Sequence, residues 1–107
     1  MNNKTINSKI KDSVLQYVEA VCKQYKVEAI ILFGSYAKGT ENEDSDIDIA
    51  IVIDKFKDNI IEEEVEFMRI RRKIDYRIEP HIIRIQDYKN RSNPFVNEII
   101  DTGIKVA

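Results

Sequence analysis

The sequence predicts an α/β (α+β) sandwich, a mixed β-sheet of three to four strands packed with helices, on three observations. Apolar residues recur at helical spacing between Ser8 and Lys26, the run Val27 to Phe33 is nearly continuous in apolar residues, and Asp46 to Ile53 alternates. The first pattern is an amphipathic helix. The second is a strand buried on both faces, and the third is a strand whose two faces meet different surroundings. Helical and strand periods that alternate along the chain point to a layered α/β arrangement.

Taken in order, Ile10, Val14, Val18, Val21 and Tyr25 form the buried stripe of the first helix, flanked by Leu15 and Cys22. Cys22 is expected to act there as a small buried hydrophobe. The first strand ends at Gly34-Ser35, and Tyr36-Ala37-Lys38 can start a short helix. In the second strand, Ile47, Ile49, Ile51 and Ile53 share one face, while Asp46 and Asp48 head the other and contradict a simple core strand. Such local conflicts mark function.

Asn59 and Glu62 have capping-box spacing, and Ile61, Val65 and Met68 form a stripe, so a helix is expected over about 59 to 73. Its glutamates come first and Arg69, Arg71, Arg72 and Lys73 last, as the helix dipole favours; the same basic run could also serve phosphates or a partner. Ile74, Tyr76 and Ile78 alternate with Asp75, Arg77 and Glu79 in an expected third strand, and Ile82 to Ile85 follow Pro80 as a fourth. Asn93-Pro94 caps a closing helix that Gly103 stops.

At 107 residues, the chain reads as a single domain spanning 1–107. Hydrophobic residues make up 43% and charged residues 34%, with nineteen isoleucines, which excludes a disordered or collagen-like chain. Seventeen Lys and Arg against nineteen Asp and Glu give a net charge of −2, so no global positive field exists and direct nucleic-acid binding is not expected. One cysteine and one histidine exclude structural zinc. The N-terminus lacks the apolar stretch of a secretory signal and no membrane span is evident, so a cytoplasmic location is expected.

Two features carry the chemistry. Gly34-Ser35 joins a buried strand to a helix start, where a glycine admits a ligand close to the backbone and a serine can cap the helix or hydrogen-bond a phosphate oxygen; an ordinary turn has the same composition. Asp46 and Asp48, two apart on a strand, project from one face, and a divalent cation would hold both ionised. Asp44, Asp46 and Asp48 imitate the start of a calcium loop, but Ile49 stands where that loop needs glycine and Lys55 where it needs glutamate.

Gly34-Ser35, ten residues, then Asp46-Ile47-Asp48 resembles the GSx10DxD signature of the polymerase-β-like nucleotidyltransferase superfamily. The stretch from Leu32 to Thr40 and from Ser45 to Ala50 looks like its smallest branch, the minimal nucleotidyltransferases (MNT). The resemblance implies the corresponding fold and nucleotidyl transfer from an NTP, ATP by analogy, with two Mg²⁺ ions held by Asp46, Asp48 and a third carboxylate on a later strand. Asp75, twenty-seven positions after Asp48, is the expected third; Asp87 competes but follows an irregular segment and is a poorer strand candidate. Gly34, Ser35 and Lys38 would bind the phosphates. The resemblance also implies a partner: MNT antitoxins silence HEPN-domain ribonuclease toxins by attaching AMP to a tyrosine. A binding module that merely masks its partner is the alternative, against which three intact acids argue. His81 could be a general base or a solvated strand-edge residue, and Tyr36 and Tyr76 could stack on a base or simply pack.

Overall fold

The computed structural model describes residues 5–54 and 60–107. Helix α1 (Lys11–Gln24) leads into β1 (Val27–Phe33), the single-turn α2 (Ser35–Lys38) and β2 (Ile47–Ile53). Helix α3 (Ile60–Arg72), β3 (Ile78–Arg84), α4 (Ile85–Asn90), α5 (Pro94–Thr102) and β4 (Ile104–Lys105) follow. The sheet order is β3-β2-β1-β4, with β1 antiparallel to both β2 and β4 and β2 parallel to β3. The crossover between the parallel strands carries α3, as a parallel pair requires.

Strand alternation sorts the core into two layers. Ile47, Ile49, Ile51 and Ile53 pack with Ile30, Leu32 and Ile78 beneath Val14, Tyr17 and Val21 of α1 and Phe67 and Ile70 of α3. Ala29, Ile31, Phe33, Ala50, Val52 and Ile83 face the other way, against Val96 and Ile99 of α5. β1 therefore reads as a nearly continuous apolar run because both faces are covered, and β2 does so only from Ile49 onward, beyond Asp48. Tyr17 donates its hydroxyl to the Phe67 carbonyl at 2.9 Å, tying α1 to α3, and burial pushes that hydroxyl well above the usual tyrosine range. The Asn93 side chain accepts from the Phe95 and Val96 amides, so α5 begins where the Asn-Pro pair predicts.

Four expectations are corrected. Residues 74–77 are not a strand: the Asp75 amide donates to the Arg71 carbonyl at 2.8 Å and the Ile78 amide to Asp75 at 3.2 Å, which is the closing turn of α3 and a tight connection. A single strand instead runs through Pro80, because β3 is at the sheet edge, where a missing N–H costs no ladder bond. On α3, Phe67 and Ile70 are buried, whereas Ile61 is 69% and Val65 50% exposed. The sequence offers two apolar stripes one helical step apart, and only packing against α1 chooses between them. Cys22 is exposed, since Val14, Tyr17 and Val21 form the inward line of α1. The proposed Asn59 cap lies outside the described residues.

Candidate active site

The site is assembled where β1 ends beside the start of β2. Gly34 caps α2 with φ 75° and ψ −151°, a conformation that side chains with a Cβ avoid. Phe33 pairs with Asp48 in the sheet register, and a Cβ on Gly34 would collide with Asp48 Oδ2. The glycine thus lets the Asp48 carboxylate lie directly against the backbone of the strand-to-helix turn. Gly34 and Ser35 are half-buried, and the Gly34 carbonyl accepts from the Ala37 and Lys38 amides.

Parallel pairing brings β3 to the same place. Asp48 stands opposite Glu79 and Ala50 opposite His81, so alternation turns Glu79 and His81 to the face that carries Asp48. His81 Nε2 lies 3.3 Å from Asp48 Oδ1 and 3.9 Å from Glu79 Oε1. Asp46, the residue before β2, lies near enough to the Glu79 carboxyl to act on it. The Glu79 carboxyl is held above its ordinary range, first by burial, then by its interaction with Asp46 and the charge of Asp48, while His81 pulls the other way. Crowded carboxylates of this kind are what a divalent cation relieves, and the oxygen donors present suit one. Among the described residues, Asp48, Glu79 and His81 form the group whose ligand atoms all lie within 4.8 Å of one another. A cleft of about 610 Å³ opens onto this cluster, lined by Asp46, Glu79, His81 and the exposed ring of Phe95.

Asp75, expected as the third ligand, is placed elsewhere. Its carboxylate accepts from Ser13 Oγ of α1 at 2.8 Å, from the Arg77 amide at 2.9 Å, and from Arg77 Nε and Nη2 at 3.1 and 2.8 Å. Helix α1 packs on the isoleucine face, opposite the one that bears Asp48, so the turn before β3 commits Asp75 to the other layer. The arginine and serine bonds hold its carboxyl down at about 2. Stability from this clasp should be complete above pH ~4 and disappear as pH falls through about 2. Asp75→Asn should therefore cost ~1 kcal/mol at neutral pH, discounted because Arg77 is partly solvated, and progressively less as pH falls through about 2. Thermal melts of both chains across that range check this; parallel curves would refute it.

Lys38 pairs with Glu98 of α5 at 3.2 Å, both largely exposed. The basic run is partly structural: Arg71 Nη1 donates to the Tyr76 and Ile78 carbonyls, and Arg69 pairs with Glu66. Tyr36 is buried in the core, whereas Tyr76 is 72% exposed. Glu79 was the carboxylate missed by sequence reasoning. Its signal was the Ile78-Glu79-Pro80-His81-Ile82 alternation, hidden because Pro80 reads as a break.

The glycine turn and the carboxylate cluster thus stand together at the tip of the adjoining central strands. Residues 16–107 match the family model described as Polymerase beta, Nucleotidyltransferase, and the chain belongs to that family as a minimal nucleotidyltransferase. It is 37% identical over 67 residues to "Putative protein adenylyltransferase MJ1379" of Methanocaldococcus jannaschii, covering 63% of this chain and 67% of that one. It is 28% identical over 81 residues to "Putative protein adenylyltransferase MJ0141" of the same organism, covering 76% and 80%. A stretch of 57 residues is 35% identical to the CCA-adding enzyme of Thermoplasma acidophilum, over 51% of this chain and 26% of that protein. The crystal structure of "a putative nucleotidyltransferase from Sulfolobus solfataricus" superposes with a TM-score of 0.57 at 20% identity, over 97% and 90% of the two chains, which shows the shared fold. No helix among the described residues is long and apolar enough to cross a membrane.

Proposed function

We propose that this nucleotidyltransferase moves AMP from ATP to a hydroxyl of a partner protein, a tyrosine of a HEPN-domain ribonuclease, with release of pyrophosphate, and thereby acts as its antitoxin. The observation that carries the transfer itself is the convergence of Asp46, Asp48 and Glu79 beside the Gly34 turn. Asp46, Asp48 and Glu79 would hold divalent ions, Mg²⁺ being the hard cation that carboxylates suit. Bound there, such ions would neutralise the triphosphate and activate the acceptor hydroxyl. Gly34 admits the phosphates to the backbone and Ser35 offers them a hydroxyl. Lys38 can leave Glu98 for the triphosphate at little cost, since an exposed pair is worth at most ~1 kcal/mol. The open cleft beside Glu79 leaves room for an acceptor supplied by another molecule. The names of the relatives MJ1379 and MJ0141 support protein as the acceptor, and the resemblance of the GSx10DxD stretch to MNT antitoxins supports the toxin.

The test is incubation of the protein with Mg²⁺, each α-labelled NTP in turn, and the protein encoded beside it. ATP should label a tyrosine of that protein, giving mass increments of AMP. An unlabelled partner whose toxicity is still neutralised by the Asp46, Asp48 and Glu79 triple amide variant would favour simple masking and defeat the proposal.

A further inference from the structure

The site contains a group that nucleotidyl transfer with Mg²⁺ does not call for. His81 is the chain's single histidine, and the β3 register sets it two residues beyond Glu79 on the same face, across from the strand of Asp48. Its ring is braced edge-on by Phe33, with centroids 5.0 Å apart and planes at 67°, and Phe33 is itself edge-on to Phe95 at 6.2 Å. The braced ring presents Nε2 to both carboxylates, 3.3 Å from Asp48 Oδ1 and 3.9 Å from Glu79 Oε1. The shorter contact is a long hydrogen bond, beyond the ~2.7–2.9 Å of a charge-assisted one. It is also close to the ~3.4 Å at which donors ~2.1 Å from a common centre stand at the tetrahedral angle, and the longer contact fits the same centre at a wider angle.

We propose that His81 Nε2 is a metal ligand, completing with Asp48 and Glu79 a mixed nitrogen and oxygen site that selects a first-row transition dication of the Mn²⁺ type over Mg²⁺. The inference rests on the reading of Asp48 and Glu79 as metal-holding carboxylates and adds to it the choice of metal. The chemistry decides the direction. Mg²⁺ holds its waters and takes oxygen donors, whereas an imidazole nitrogen raises affinity along the transition series. The remaining carboxylate, Asp46, keeps an oxygen-only position available for Mg²⁺ at the edge of the same cluster.

The test uses the untagged full chain without nucleotide, loaded with Mn²⁺, in pulsed electron paramagnetic resonance. A directly bound imidazole ¹⁴N modulation is expected, and because the chain has one histidine that imidazole can only be His81. His81→Asn should remove the modulation and lower the Mn²⁺ to Mg²⁺ affinity ratio about tenfold, measured by titration of each metal. Should the variant unfold, a shift of the lone imidazole resonance of the native chain on adding diamagnetic Zn²⁺ gives the same answer. Absence of nitrogen modulation together with an unmoved imidazole resonance overturns the inference, even if transfer with Mg²⁺ is robust. Nitrogen-bound Mn²⁺ in a protein that labels no acceptor leaves the inference standing and removes the adenylyl-transfer reading instead.

Discussion

Glu79→Gln is expected to reduce nucleotidyl transfer by about a thousandfold or more while leaving the fold intact. Holding a divalent ion against a reacting phosphate is worth several kcal/mol of transition-state stabilisation, and ~1.4 kcal/mol is a factor of ten in rate. The carboxamide keeps the size of Glu79 and removes its charge, so the loss falls on the ion and the bound phosphate. The metal-free chain should not be weakened. Glu79 is crowded by Asp46 and Asp48, and relieving that repulsion should stabilise the fold by a few tenths of a kcal/mol, since the side chain is half exposed. Asp48→Asn should be as inactive. Asp75→Asn provides the contrast: its carboxylate is committed to Ser13 and Arg77, so it should lose stability in acid-sensitive fashion and keep transfer. Measured labelling rates separate the two acids directly. Full activity in Glu79→Gln with loss in Asp75→Asn would restore Asp75 as the third ligand and discard the assignment made from the strand register.

Gly34→Ala should nearly eliminate both transfer and a good part of the stability. Two penalties coincide at this position. The backbone, at φ 75° and ψ −151°, lies where a Cβ is strained by ~1–3 kcal/mol, and that Cβ would meet the Asp48 carboxylate oxygen. The carboxylate must move, and misplacing a reacting group's support by about 1 Å costs on the order of a hundredfold in rate. Gly39→Ala is the matched control: φ is 76° there too, but no atom lies within 4 Å of the added methyl group. That variant should lose ~1 kcal/mol of stability and keep its rate. Equal rate losses in the two variants would show that contact between Asp48 and Gly34 is not what makes the glycine necessary.

The tertiary contacts explain why these acids differ although the sequence presents them alike. Asp75 and Glu79 are four residues apart, both follow isoleucines, and either could be the carboxylate of a later strand. The chain between them turns out of α3 before β3 begins. One acid is therefore captured by the serine of a neighbouring helix, and the other is delivered to Asp48. In the same way, α3 carries two apolar stripes, and the surface of α1 decides that Phe67 and Ile70 go inward.

What the amino-acid sequence determined by itself was a set of elements encoded in local period and short spacing. This includes the helix before β1, the two central strands, the glycine turn with Asp46 and Asp48 after ten intervening residues, and the Asn-Pro start of α5. Steric and solvation preferences act over a few residues there, so neighbouring residues suffice to place each element. The tertiary structure alone decided the partners: Glu79 and His81 beside Asp48, Asp75 clasped on the opposite layer, and Cys22 at the surface. Those outcomes depend on the register of a parallel strand pair formed across a whole helix, and no local preference fixes which side chains such a register brings face to face.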